Sequence, residues 1–114
     1  MLLFFRTGTV LLAGLIAYIS LIPAGGGGSF PHADKVMHFV AYGALAGGLG
    51  LGWPRLGLRR VVLYAFLFGA MVEVAQWLAP TGRTASLFDM IANGTGALLA
   101  AYVLSLIRRR FPVT

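Results

Sequence analysis

Residues 61–79 read VVLYAFLFGAMVEVAQWLA, and this run decides the fold. It is apolar from end to end except for Glu73 and Gln76, and it is long enough to span a bilayer core, which takes about 20 helical residues. A strand of that length would alternate apolar and polar side chains, and this run does not. The acid is the telling residue. Glu73 lies six positions before Ala79, roughly 9 Å along a helix axis at about 1.5 Å per residue. A carboxylate at that depth in lipid needs a partner or a proton, and ionisable groups kept there usually serve a purpose.

Working outward, three further apolar runs flank this one. The reading is an all-α integral membrane protein with four transmembrane helices at about 2–22, 35–52, 60–79 and 86–107, an up-down-up-down bundle forming a single domain over residues 1–114. Pro23, the Gly52-Trp53-Pro54 turn, Pro80-Thr81-Gly82 and the triple arginine at 108–110 end the runs. The four glycines at 25–28 are expected to form a mobile linker. Arg6 ahead of an apolar run resembles a signal peptide, but no small-x-small cleavage site precedes Ala24, so a retained first helix is expected. With 59% hydrophobic and 11% charged residues, the chain does not suit a soluble domain, which carries roughly a quarter charged residues.

The net charge of +6 is explained by topology rather than by nucleic acid, and no nucleic-acid partner is expected. With four spans, one side carries Arg6, Arg55, Arg59, Arg60, Arg108, Arg109 and Arg110, and the other only Lys35 and Arg83. Seven against two puts both termini in the cytoplasm. The three acids of the chain, Asp34, Glu73 and Asp89, then fall on the outer side at the ends of three different helices.

Each acid heads a polar cluster. Asp34, Lys35, His38 and Tyr42 open the second helix, the last three at i, i+3, i+7 on one face. Glu73 and Gln76 share a face of the third. Arg83, Ser86, Asp89 and Asn93 lead into the fourth. Structural explanations compete: Asp34 as a helix cap, Lys35 snorkelling, Tyr42 in an interfacial belt, Ser86 and Asp89 as a capping box. They leave His38, Glu73 and Asn93 unexplained. A clasp pairing Glu73 with Lys35, His38 or Arg83 competes with a ligand-binding or catalytic role. Gly94, Gly96 and Ala97 would let another helix approach closely.

No metal or other cofactor is expected. Hard ligands exist in His38, Glu73, Asp89 and Asn93, but no dense spacing such as H-x-x-x-H. The absence of cysteine excludes disulfides, thiolate metal sites and cysteine nucleophiles. Ser86 has no nucleophile-elbow sequence around it, and residues 25–28 lack the lysine of a phosphate loop. Glu73 or His38 could act as a general base, but nothing in the sequence indicates a reaction, so the reading leans away from an enzyme.

In this order, Asp34-Lys35-x-x-His38-Phe39-x-x-Tyr42-Gly43, Glu73-x-x-Gln76 and Arg83-x-x-Ser86-x-x-Asp89-x-x-x-Asn93-x-x-Gly96 resemble the VanZ-like family of bacterial membrane proteins. The resemblance covers roughly residues 31–99. It implies a multi-pass bacterial plasma-membrane protein acting at the outer leaflet, in a family best known for resistance to teicoplanin-type glycopeptides; it implies no established reaction. The expected partners are membrane lipids, with a lipid-linked envelope precursor or a glycopeptide antibiotic as ligand. The alternatives are an accessory subunit of a larger complex or a homo-oligomer, and an envelope-modifying hydrolase or transferase using Glu73 or His38. The nine residues expected to form the site are Asp34, Lys35, His38, Tyr42, Glu73, Gln76, Arg83, Asp89 and Asn93.

Overall fold

The apolar runs fold into helices in a computed structural model that describes residues 1–22, 33–78 and 87–111. The elements are α1 (Leu2–Leu21), α2 (Ala33–Gly52), α3 (Leu58–Leu78) and α4 (Leu87–Arg110), with no strand among the described residues. The glycine run at 25–28, the turn at 80–82, Arg83 and Ser86 lie outside the described residues. Three helices, α1, α3 and α4, are long and apolar enough to cross a membrane. α2 contributes a shorter apolar stretch, Val36–Gly52.

Two helix ends depart from expectation. α2 begins at Ala33, so Asp34 lies in the first helical turn and not in the capping position before it. α4 runs on through Arg108, Arg109 and Arg110, the residues expected to flank it. Cations suit the negative end of the dipole, and Arg108 gains more. Its guanidinium donates to the carbonyls of Leu56 at 2.8 Å and Gly50 at 3.3 Å, reaching across to the turn between α2 and α3.

α2 is the central element and packs against each of the other three helices. Its closest approach is to α4. A Cβ on Gly96 would overlap the Phe39 carbonyl oxygen, and one on Gly43 would sit 3.3 Å from the Gly96 carbonyl oxygen, so the two backbones meet where neither has a side chain. Gly94 is different, because a Cβ there would make only ordinary contact with Phe66 at 3.5 Å. α1 meets α2 where Thr9 faces Gly48, with the Thr9 hydroxyl donating to its own helix at the Phe5 carbonyl, 2.6 Å away.

The core between the helices is small-residue rich: Ala46, Ala65 and Ala97 join Ile16, Tyr42, Leu45, Val61 and Leu104. Large apolar side chains point the other way, with Leu3, Phe4, Met71, Trp77, Leu87 and Tyr102 all exposed. That inversion of the soluble pattern suits helices whose outer surface meets lipid. One end of the bundle is closed by arginines. Arg6 Nε donates to the Gly52 carbonyl at 2.7 Å, with its guanidinium 5.4 Å from the Trp53 ring, and Arg108 closes the same turn from α4.

Candidate functional site

At the opposite end of the bundle, the start of α2, the end of α3 and the start of α4 bring polar side chains into one place. His38 comes from α2, Glu73 and Gln76 from α3, and Asp89 and Asn93 from α4. Helical spacing explains each pair: Glu73 and Gln76 are three residues apart and Asp89 and Asn93 four, so each pair lies on one side of its helix. All four of these side chains are buried, Asn93 to 1% relative exposure.

The contacts run between helices. His38 Nδ1 lies 2.9 Å from Asn93 Oδ1, joining α2 to α4. The amide oxygen can only accept, so the imidazole donates through Nδ1. Its other nitrogen, Nε2, faces Asp89 Oδ2 at 3.6 Å. One ligand atom each from His38, Glu73 and Asp89 fall within 4.8 Å of one another. Gln76 turns the other way and donates from Nε2 to the Ser20 carbonyl at 2.9 Å, tying α3 to the last turn of α1.

Tyr42 lies one turn below His38, 2% exposed, with the two rings parallel and their centroids 6.2 Å apart. It is therefore a floor to the cluster and not part of an interfacial belt, which would need it near water. Gly69 on α3 makes room for this arrangement. A Cβ there would come within 2.8 Å of Asn93 Nδ2 and 3.0 Å of a Tyr42 ring carbon.

Of the nine residues expected from sequence, His38, Tyr42, Glu73, Asp89 and Asn93 are brought together, and Gln76 shares their end of the bundle but bonds to α1. Asp34 and Lys35 lie by backbone in the first turn of α2, one turn before His38, and their side chains lie outside the described set. Arg83 lies outside it altogether. Asp89 occupies the third position of α4, where the capping-box reading places it, but its Oδ2 is also turned towards His38. Sequence reasoning missed three things: Gly69 as the space-maker, the Ser20 carbonyl as the acceptor for Gln76, and the second role of Arg6 and Arg108 as clasps on the α2–α3 turn. Only Gly69 left a signal, an isolated glycine in an otherwise bulky run one turn before Glu73.

Neither a curated protein nor a solved structure matches the chain. The family model described as VanZ/LLP1 matches residues 2–108, which takes in α1, α2, α3 and nearly all of α4. With the ordered polar residues of three helices inside that span, the chain belongs to the VanZ/LLP1 family.

Proposed function

We propose that this is a multi-pass bacterial plasma-membrane protein that binds the polar head group of an envelope lipid or lipid-linked precursor at the outer leaflet. One observation carries the reading: a buried polar cluster, built by three helices, at the end of the bundle remote from the arginines. The seven-to-two division of basic residues supports an outward orientation for that cluster. Polar groups of this kind at membrane depth line sites and pathways more often than they serve packing alone.

A ligand with a tail suits the surroundings. An apolar cleft of about 350 Å³ runs between α2 and α4, lined by Phe39, Gly43, Gly47, Leu99, Val103 and Ile107 among others. It starts at Phe39, next to His38, and descends toward the arginine end. An acyl chain in this cleft would leave its head group at the level of the cluster.

The test is lipid retention. Wild type, Glu73→Gln and Asn93→Ala are purified from membranes in mild detergent, and co-purifying lipids are identified by mass spectrometry. Retention of a particular anionic lipid is expected to fall at least roughly tenfold in both variants, the scale of a lost charged or amide hydrogen bond. Unchanged retention in well-folded variants would sink the proposal. Equal loss of folded protein in both would favour a clasp between helices.

A further inference from the structure

We propose that His38, Glu73 and Asp89 hold one divalent transition-metal ion, of the zinc type, between α2, α3 and α4. The three ligand atoms lie within 4.8 Å of one another, and Glu73 and Asp89 are buried. The inference goes beyond the head-group reading and does not require it.

The orientation of His38 is the strongest argument. Its Nδ1 donates to Asn93 Oδ1 at 2.9 Å. The Asn93 amide is oriented in turn, its nitrogen 4.0 Å from Met90 Sδ. Nδ1–H is therefore committed to an oxygen acceptor, and Nε2 faces the Asp89 carboxylate. Metal-binding histidines are held in the same way, with the second ring nitrogen donating to an outer oxygen that fixes tautomer and ring plane.

The His38–Asp89 separation agrees. Nε2 and Asp89 Oδ2 are 3.6 Å apart. A charge-assisted hydrogen bond would bring them to about 2.7–2.9 Å. Two ligands on one tetrahedral ion, with bonds of about 2.0–2.1 Å, sit roughly 3.3 Å apart. The observed separation is closer to the second geometry.

The donor set then selects the class of ion. One imidazole nitrogen and two carboxylate oxygens suit zinc, manganese or ferrous iron. Three protein ligands leave a fourth position for water or for an anionic oxygen. A phosphate oxygen of a lipid head group is a ligand of that kind. No short sequence motif announces the site, because each ligand comes from a different helix and the first and last are 51 residues apart in number, from 38 to 89.

The protein is purified in detergent, stripped with a chelator, reloaded with zinc sulfate, desalted, and its metal content measured by elemental mass spectrometry with no lipid added. About one zinc per chain is expected, with a loss of at least roughly tenfold in Asp89→Asn and His38→Gln. Asn93→Ala keeps all three ligands, and its zinc affinity should weaken roughly 10–100-fold, as for loss of an outer hydrogen bond. Folded wild type that retains no zinc overturns the proposal, whatever the variants do. Zinc held equally by wild type, Asp89→Asn and His38→Gln also overturns it. Lipid retention is read separately on wild type and Glu73→Gln, so failure of the head-group reading leaves the metal result standing, and the reverse.

Discussion

At the scale of single residues, the cluster depends on where side chains are missing as much as on where they are present. Gly69 is the case in point. The nearest neighbours of an added methyl are the Asn93 amide and the Tyr42 ring, at 2.8 and 3.0 Å. Asn93 is fixed by His38, and Tyr42 is wedged beneath it at 2% exposure, so neither can yield without disturbing the other. Gly69→Ala should therefore destabilise the folded protein by about 1–3 kcal/mol, the usual scale of overpacking, and weaken whatever the cluster binds. Gly14→Ala is the matched control. Nothing lies within 4 Å of a Cβ there, and the change should be neutral or stabilise by about 0.5–1 kcal/mol through helix propensity. Thermal unfolding in detergent compares the two directly; equal midpoints would refute the packing account of Gly69. The chemistry of the cluster was legible before its geometry, because His38, Glu73 and Asn93 resist capping or snorkelling explanations. Gln76 was legible only as a partner to Glu73 on one face. That it bonds to the Ser20 carbonyl depends on how α1 ends, and no side-chain pattern in α1 announces a bare carbonyl.

At the scale of helices, position was legible and pairing was not. Apolar runs bounded by proline, glycine and arginine locate all four elements to within a few residues. Two exceptions stand out: α2 reaches back to include Ala33 and Asp34, and α4 carries its arginines inside the last turn because the dipole and the α2–α3 carbonyls receive them. Pairing is harder to read because helices that face lipid are apolar on most sides, so no stripe marks the inner face. Small residues mark it instead. Gly96 meets the Phe39 backbone, whereas Gly94, two residues away, meets only the Phe66 ring at ordinary distance. The pair makes a sharp test of the α2–α4 crossing. Gly96→Ala forces a methyl against a carbonyl oxygen that cannot rotate away, and a loss of about 3 kcal/mol or failure to accumulate is expected. Gly94→Ala should accumulate and unfold like wild type. If both variants behave alike in thermal unfolding, the close crossing is wrong, and with it the placement of His38 against Asn93.

At the scale of the whole molecule, the two ends of the bundle are chemically opposed. One end is closed by Arg6 and Arg108 reaching to the backbone of the α2–α3 turn. The other gathers the histidine and two buried acids of the cluster. The arginines therefore hold the bundle together at the end where their charge also favours retention in the cytoplasm. Which end faces out decides whether the cluster can meet an envelope ligand, and the chain offers a clean way to ask, since it has no cysteine. Gly57→Cys places a thiol in the turn between α2 and α3, where a Cβ meets nothing within 4 Å. Gly26→Cys places one in the segment between α1 and α2. In intact spheroplasts a membrane-impermeant maleimide should label Gly26→Cys at once and Gly57→Cys only after permeabilisation. Seven basic residues against two make the opposite orientation costly, because each Lys or Arg in a short loop resists translocation. The reverse labelling pattern would turn the cluster to the cytoplasm and end the outer-leaflet proposal, while leaving the metal site, which needs no particular side, to stand or fall on its own measurement.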